Sequence, residues 1–343
     1  MSPAKLRASR IDAEVRKLSG ATMGTGWSLS FAAPDSVTNS AVVAALEDTF
    51  SLIIRQMSGW EHESDLCRFN RAKAGWHELP EEFFKVLKRA LEIAELTNGA
   101  YDPALGAKVD ALGFGPTPLL SSRPERSGEP GPTDQRVPSL VDGSRIAQRA
   151  SGMTSTGWRD IKLDAENRAA FQPGDVTLDL SSIAKGHAVD LCAARLKALA
   201  IPSFLMEIGG EFAGEGVKPD GNPWWVGLEL SDQPPAPDEP KHTDVALVGL
   251  ALATSGDFVR RREGVSHLLD GRTGETVANT LSGVSVLHAS AMEADGWATA
   301  LFALGPEAGI AMADAQSLAA VFATRNADGA RLQLSRKASE MLG

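Results

Sequence analysis

Cysteine is scarce in this chain, which has only Cys67 and Cys192 among its 343 residues. Two cysteines cannot form the disulfide framework of a small secreted protein, so we interpret both as free thiols. Long apolar runs are also missing, whereas a membrane-spanning helix needs about 20 consecutive apolar residues. Residues 1–20 lack the apolar segment of a signal peptide and a cysteine for lipid attachment. We therefore expect a cytoplasmic protein with no transmembrane segment, or a periplasmic one if the natural chain carries a leader.

Positive charge is also in deficit. The chain has 34 Lys and Arg residues against 44 Asp and Glu residues, which gives a formal net charge of −10. A protein of this sign is a poor ligand for nucleic acid or for an anionic membrane surface, so we expect no nucleic-acid partner. The hydrophobic fraction of 43% and the charged fraction of 23% are ordinary for a soluble globular protein of one large or two modest domains.

Apolar residues follow helical spacing in some segments and strand-like patterns in others. We predict helices at 38–57, 81–97, 183–199 and 291–304, and strands at 27–33, 176–180, 203–208, 224–230 and 245–253. The succession of strand 176–180, helix 183–199 and strand 203–208 indicates a βαβ-like unit. Residues 116–157 are rich in Pro, Ser, Gly and Arg and have almost no apolar run, which predicts a flexible surface loop.

The segment Leu178-Asp-Leu-Ser-Ser-Ile-Ala-Lys-Gly186 passes from a strand pattern through small residues into a helix pattern. A helix N-terminus at such a turn presents backbone N–H groups and the positive end of the helix dipole to an anion. Lys185 adds a positive charge at the same place. The segment favours a phosphate site, although many similar joins between strand and helix bind nothing.

Asp295 and Thr299 are four residues apart in a helical pattern, so both side chains project from one face. A carboxylate and a hydroxyl on one face suit a hard cation such as Mg²⁺, which takes oxygen ligands and keeps few protein ligands when phosphates complete its shell. The alternative interpretation is an aspartate that caps locally and a threonine that bonds back to its own helix.

His267 is one of six histidines, the residue type whose unperturbed pKa lies nearest to physiological pH, and is therefore a candidate for a general base. Asp270 could orient it or help to bind a metal. A lone histidine is more often structural than catalytic, however. The pair Gly209-Gly210 follows a predicted strand and indicates either a tight turn or a close approach to a ligand.

These segments belong to an ordered set through which the chain resembles the ApbE family of flavin transferases, the FAD:protein FMN transferases. The matching blocks run over residues 19–305 and are Ala21-Thr-Met-Gly-Thr25, Met57-Ser-Gly-Trp-Glu-His-Glu-Ser-Asp-Leu-Cys-Arg-Phe-Asn70, Asn98-Gly-Ala-Tyr-Asp-Pro103, Gly113-Phe-Gly-Pro116, 179–186, Glu207-Ile-Gly-Gly210, Ala253-Thr-Ser-Gly-Asp257, Ser266-His-Leu-Leu-Asp270 and Ala291-Met-Glu-Ala-Asp-Gly-Trp-Ala-Thr299. The resemblance implies an α+β fold, a mixed sheet flanked by helices, with two lobes and FAD in the cleft between them. Residues 1–18 would be an N-terminal extension and 19–343 the flavin transferase domain.

The resemblance also implies roles for individual residues. The metal would be held by Asp295, Thr299 and a backbone carbonyl assigned to Ser182, with Ala184 as the alternative. His267 would be the catalytic base beside the FAD phosphates. The residues expected to contact FAD are Met23, Trp60, Ala100, Tyr101, Asp102, Asp179, Lys185 and Leu269. For Asp179 the alternative is a structural cap of the next turn.

Two positions depart from the usual family pattern. Ser181 and Ser182 stand where the family has two small residues, often glycine, so a close approach of the backbone should survive. Trp60 stands where the family usually has a tyrosine, so it keeps a ring for stacking and loses the phenol hydroxyl. A partly exposed core aromatic is the alternative interpretation of Trp60.

The function that the resemblance implies is Mg²⁺-dependent transfer of FMN from FAD to a Thr or Ser hydroxyl of a partner flavoprotein, with release of AMP. Two other functions share the same residues. One is hydrolysis of FAD to FMN and AMP, with water as the acceptor. The other is flavin binding without catalysis.

Overall fold

The structure, a computed structural model, describes residues 13–116, 157–241, 243–258, 261–262 and 265–342. Nearly all of the predicted loop 116–157 and most of the predicted extension 1–18 lie outside these residues. The helices are α1 (Asn39–Met57), α2 (Asp65–Asn70), α3 (Glu81–Leu96), α4 (Gly106–Ala111), α5 (Ala184–Ala198), α6 (Ala291–Leu304), α7 (Pro306–Ala315) and α8 (Arg336–Leu342). The four helices predicted from apolar spacing are confirmed as α1, α3, α5 and α6.

Seventeen strands lie in the described residues. They are β1 (Val15–Thr22), β2 (Thr25–Ala32), β3 (Gly75–Glu78), β4 (Lys162–Asp164), β5 (Ala169–Gln172), β6 (Ser203–Ile208), β7 (Glu211–Glu215), β8 (Trp224–Gly227), β9 (Asp244–Leu247), β10 (Leu250–Gly256), β11 (Arg261–Arg262), β12 (Val265–Ser266), β13 (Leu269–Asp270), β14 (Glu275–Thr276), β15 (Leu281–His288), β16 (Ala319–Asn326) and β17 (Gly329–Leu334). The strand predicted at 245–253 is divided between β9 and β10.

Eight of these strands form the main sheet, in the order β1-β2-β6-β7-β10-β15-β16-β17. Each neighbouring pair is antiparallel. The α+β class with helices against a sheet is confirmed, but the main sheet is antiparallel where we expected a mixed one. Smaller sheets are β3-β5-β4, β8-β9, β11-β12 and β13-β14.

The βαβ-like unit predicted from the sequence lacks its first strand. In place of a strand at 176–180, Thr177 makes one isolated parallel bridge to Leu105. Asn70, the last residue of α2, takes both backbone groups of Leu178: its Nδ2 donates to the carbonyl at 2.9 Å, and its Oδ1 accepts from the N–H at 2.8 Å. Because the backbone N–H and carbonyl of Leu178 are both bonded to Asn70, Leu178 cannot pair with a neighbouring strand through them.

The core lies between the helices and one face of the main sheet. Helix α6 packs against β10 and β15, and α5 packs against α6 and α1. Trp297 of α6, with 1% of its surface exposed, is among the largest fully buried side chains. A second apolar cluster, which includes Val226, Leu230 and Val321, joins β8, β9 and β16. The division into two lobes stays a prediction.

Helices α5 and α6 are joined by two carboxylates, each of which accepts hydrogen bonds from the start of the other helix. Asp190 of α5 accepts hydrogen bonds from the N–H of Ala291 at 2.7 Å, the N–H of Met292 at 3.0 Å and the hydroxyl of Ser290 at 2.6 Å. In return, Asp295 of α6 accepts the N–H of Gly186 in α5 at 2.9 Å. Each carboxylate satisfies N–H groups that have no partner within their own helix. We call this arrangement the carboxylate exchange.

Among the described residues, no helix combines the length and the apolar character needed to cross a membrane.

Candidate active site

Asp295 lies at the centre of the predicted site and is almost completely buried, with 4% of its surface exposed. Burial raises the pKa of its carboxyl, while the Lys185 charge and the hydrogen bond from the Gly186 N–H act in the opposite direction. A buried carboxylate that is expensive to ionise gains stability from a nearby positive charge. The predicted helix start is confirmed, since α5 begins at Ala184, directly after the small-residue turn.

Gly186 lets the two helices approach closely enough for this contact. A Cβ atom at Gly186 would lie 2.2 Å from the carbonyl oxygen of Ala291 and 2.7 Å from Cβ of Asp295. Backbone atoms cannot yield to such a clash as a flexible side chain can. Because Gly186 has no side chain, α6 can pack closely enough against α5 for Asp295 to bond to the Gly186 N–H.

We expect Gly186→Ala to destabilise the protein by about 1–3 kcal/mol, the usual cost of forcing an extra group into a packed interior. Gly59→Ala is the matched control, because a Cβ there would meet no described residue within 4 Å. Urea unfolding of both variants measures the effect. Equal stability of the two would show that α5 and α6 can separate without cost.

Lys185 lies on α5 beside Gly186 and forms an ion pair with Glu211, the first residue of β7. Burial raises the pKa of the Glu211 carboxyl, the Lys185 charge lowers it, and the Asp295 charge raises it further. The three charged groups thus form one cluster. Gly209 and Gly210, with φ of 61° and 100°, form the two-residue turn between β6 and β7, so the tight-turn interpretation is confirmed.

Thr299 lies one turn after Asp295 on α6, and its hydroxyl is 2.8 Å from that of Ser255 on β10. The predicted donors at this site are a carboxylate, a hydroxyl and a carbonyl, which suit a hard divalent cation. The buried Glu211 Oε2, which has no hydrogen-bond partner among the described residues, adds negative charge beside the site that would favour a cation, although Glu211 is not one of the predicted ligands. Among the described residues, no group of three His, Cys, Asp or Glu side chains is placed so that it could hold a metal ion. A cation here would therefore depend on hydroxyl, carbonyl and phosphate oxygens.

Tyr101 connects this cluster to the segment predicted to line the flavin. The hydroxyl of Ser182, in the turn before α5, donates to the Tyr101 oxygen at 3.0 Å. Burial raises the pKa of the Tyr101 phenol, and the charges of Asp295, Asp179 and Asp102 raise it further. These three predicted carboxylates therefore all act electrostatically on one phenol, although they are far apart in sequence.

Asp179 and Asp102 shape the backbone at this place. The Asp179 Oδ1 accepts the N–H of Ser181 at 2.8 Å, and its own N–H donates to the carbonyl of Pro103 at 2.8 Å. The Asp102 Oδ1 accepts the N–H of Ala104 at 2.7 Å. Burial raises the pKa of Asp102 to about 6, against the Ala104 hydrogen bond. Asp179 is thus a cap, as its alternative interpretation proposed, and it still lies beside the phenol of the predicted flavin-lining segment.

Asp102 should make stability depend on pH in the absence of FAD. Its folded-state pKa is raised, so its destabilising effect grows as the pH rises from about 4 to about 6 and is complete above that. Asp102→Asn removes the charge and keeps an acceptor for Ala104. We expect the difference in unfolding free energy between the variant and the wild type to grow in the variant's favour by about 1 kcal/mol from pH 5 to pH 8. Urea unfolding at both pH values measures this, with the exposed Asp35→Asn as control. A gain that is the same at both pH values would contradict the assignment.

His267 and Leu269 reach the same neighbourhood through the segment between β12 and β14. The N–H of Gly271 donates to the carbonyl of Ala100 at 3.1 Å, which ties this segment to the Tyr101 segment. Leu269 is buried, and the half-buried His267 ring lies 6.0 Å from the Phe114 ring.

Asp270, which we considered for orienting His267 or for binding a metal, instead forms an ion pair with Arg272. It accepts hydrogen bonds from the guanidinium of Arg272, at 2.7 Å for Nη2. Burial raises the Asp270 pKa, but the Arg272 hydrogen bonds outweigh this and lower it. Its carboxylate therefore serves the β13–β14 turn.

Comparison with known proteins decides the family. The ApbE family model matches residues 23–322. The chain belongs to the ApbE family. It is similar to the FAD:protein FMN transferase of Vibrio cholerae, at 32% identity over 92% of this chain and 90% of the relative. It is also similar to that of Haemophilus influenzae, at 30% identity over 94% and 90%.

Solved structures of ApbE proteins agree with this assignment. The apo form of the flavinyl transferase ApbE of Pseudomonas stutzeri superposes with a TM-score of 0.80, at 30% identity over 96% of this chain and 98% of that one. The flavin transferase ApbE of Vibrio cholerae gives the same TM-score over 96% and 100%. The α+β architecture is therefore that of the ApbE family.

Two further residues, Met23 and Trp60, are expected from the ApbE resemblance to contact FAD. Met23 adopts a φ of 48° in the turn between β1 and β2 and packs partly against the core. That turn lies beside Gly209, whose N–H donates to the carbonyl of Gly26 at 3.1 Å. Trp60 follows α1, and 71% of its surface is exposed. Its contact with flavin stays a prediction.

Trp60→Ala should weaken FAD binding by about 1–3 kcal/mol, the range for losing an aromatic ring that stacks on a base. The exposed Trp225 on β8 supplies a matched control, since 56% of its surface is exposed and it lies in the two-stranded β8-β9 sheet, outside the residues predicted to contact FAD. Fluorescence titration with FAD and MgCl₂ gives the dissociation constants. An unchanged constant in the Trp60 variant would remove this residue from the site.

Sequence reasoning missed three residues that the ApbE fold brings to the site. They are Asn70, Glu211 and Ser255. The matching block Glu207-Ile-Gly-Gly210 ended one residue before Glu211. A charged residue directly after a glycine pair, at the start of a strand, could have indicated a functional role for Glu211. Nothing local marks Ser255 as the partner of Thr299, because the two are 44 positions apart.

Proposed function

We propose that this protein transfers FMN from FAD to a threonine or serine hydroxyl of a partner flavoprotein, with Mg²⁺ as cofactor and AMP as the leaving product. The protein is a flavin transferase enzyme, because it belongs to the ApbE family and its relatives of 30% identity or more are FAD:protein FMN transferases. The metal, the type of acceptor hydroxyl and the release of AMP belong to the proposal. So does the cytoplasmic location, which would make the partner a cytoplasmic protein.

One observation carries the proposal. The buried Asp295 lies at the N-terminus of α5 with the Lys185–Glu211 ion pair beside it. This arrangement adjoins the Tyr101 segment, which we expect to contact FAD. A helix N-terminus and an ammonium suit a pyrophosphate, and oxygen donors nearby suit the cation that accompanies it.

We propose separate roles in metal binding and in pyrophosphate binding for the residues of this site. Asp295, Thr299 and the Ser182 carbonyl would hold Mg²⁺, which supplies charge neutralisation for phosphoryl transfer when it is bound. Lys185 and the positive end of the α5 helix dipole would orient the pyrophosphate. Phosphoryl transfer depends mainly on such positioning and on stabilisation of developing charge.

The reaction forms one bond and breaks one. The acceptor hydroxyl oxygen bonds to the phosphorus of the FMN half of FAD. The bond from that phosphorus to the bridging oxygen breaks, and its electron pair leaves with AMP. An imidazole nitrogen of His267 accepts the hydroxyl proton. Met23, Trp60, Ala100, Asp102, Asp179 and Leu269 would hold the rest of FAD.

The test is incubation with FAD, MgCl₂ and a flavin-free candidate acceptor encoded by a neighbouring gene. We expect FMN that stays on the denatured acceptor, detected by in-gel fluorescence, and an equal amount of AMP by chromatography. Equally fast release of FMN and AMP without any acceptor would make the enzyme a hydrolase. FAD that stays intact for hours with acceptor and metal present would leave only flavin binding.

A further inference from the structure

Glu211 has an environment that the fold alone does not account for. Only 3% of its side chain is exposed, although it is a carboxylate at the start of a strand. One oxygen binds the ammonium of Lys185, and Oε2 is buried without a hydrogen-bond partner among the described residues. Buried charges are costly unless they are paired and hydrogen-bonded. A half-satisfied carboxylate therefore points to a role outside stability.

The two side chains of the ion pair differ in their exposure to solvent. The Lys185 side chain has 24% of its surface exposed, whereas the Glu211 side chain is almost completely buried. Lysine has a flexible four-carbon stem, so an unrestrained ammonium would turn toward solvent. The bond to Glu211 holds it against the first turn of α5, where Gly186 binds Asp295.

A second Lys–Glu pair joins the same two elements. Lys197, at the other end of α5, forms an ion pair with Glu215 of β7 at 2.6 Å. In that pair 56% of the lysine side chain and 31% of the glutamate side chain are exposed. An exposed pair of this kind contributes little to stability. The chain therefore contains its own control, with the same chemistry and the same two elements but at a distance from the site.

We propose that Glu211 is a positioning residue that fixes the Lys185 ammonium for contact with the pyrophosphate of FAD. The inference rests on the proposed function and deepens it. Lys185 would touch the substrate from its exposed side, and Glu211 would act only through Lys185. The preceding Gly209–Gly210 turn sets where β7 begins and hence where the Glu211 carboxylate stands.

The experiment is a double-mutant cycle with FAD as the probe, in MgCl₂ and without an acceptor protein. The variants are Glu211→Gln, Lys185→Met and both together, with Glu215→Gln as control. We expect each single change at the pair to weaken FAD binding about tenfold or more, the scale of a charge-assisted hydrogen bond to a phosphate. The double variant should bind FAD no more weakly than Lys185→Met. The control should bind like the wild type.

Urea unfolding of the same proteins separates positioning from packing. Lys185→Met leaves the buried Glu211 without its partner, so the double variant should be more stable than Lys185→Met and yet bind FAD equally weakly. Wild-type affinity in Glu211→Gln, or an equal further loss when it is added to Lys185→Met, would overturn the proposal. Because FAD binding needs no turnover, a wild type that binds FAD and transfers nothing would defeat the proposed function and leave this test readable.

Discussion

Asp295→Asn should fold normally and transfer FMN at less than about one-hundredth of the wild-type rate. The amide keeps the size of the side chain and can still accept the Gly186 N–H, so the carboxylate exchange survives. What is lost is the negative charge that would hold the cation among the pyrophosphate oxygens. Removing one group that stabilises charge in a transition state typically costs 100-fold or more, roughly. The rate of AMP release with acceptor present measures the effect.

Glu293→Gln is the matched control for this change. Glu293 lies two positions earlier on α6 and pairs with Arg89, at 2.6 Å for one of the two contacts, so it loses a comparable charge away from the cluster. EDTA should abolish FMN transfer by the wild type, and added MgCl₂ should restore the transfer activity. Full transfer by the Asp295 variant would place the metal elsewhere, and full transfer by metal-stripped protein would refute metal dependence.

His267→Asn should slow FMN transfer by about 100-fold to 10,000-fold, the usual contribution of general acid–base catalysis. The proposed task of His267 is removal of a proton, so FAD affinity in MgCl₂ should change little. A selective loss of rate with binding intact distinguishes a base from a residue that holds the substrate.

His77→Asn controls for the loss of a histidine that has no proposed role in the site. His77 lies on β3, and its Nε2 is 2.9 Å from the carbonyl oxygen of Lys73. The discriminating result is the dissociation constant. If His267→Asn weakens FAD binding as much as it slows transfer, the residue contacts the substrate and another group takes the proton.

Local patterns predicted the parts of the site that depend on neighbours in sequence. Helical spacing placed Asp295 and Thr299 on one face of α6, and the small-residue turn placed the start of α5 within one residue. These features follow from periodicity and turn chemistry, which need no knowledge of the rest of the chain.

Contacts between distant segments could not be predicted in this way. The strand expected at 176–180 was replaced by an Asn70 clamp that spans 108 positions, and the Glu211 and Ser255 contacts also join separate elements. The antiparallel order of the main sheet likewise depends on pairings between remote strands. Roles in flavin transfer came from the family resemblance, since spacing alone could not separate a metal ligand from a helix cap at Asp295.

The carboxylate exchange has a consequence for biosynthesis. Its contacts join residues that are 100 to 109 positions apart, and each helix supplies the acceptor that completes the other. A nascent chain therefore cannot assemble this corner until α6 has left the ribosome. Before that point, α5 lacks the carboxylate that accepts its Gly186 N–H. The proposed capacity to bind FAD should consequently arise abruptly once α6 has emerged, and arrested chains that stop before α6 should lack it.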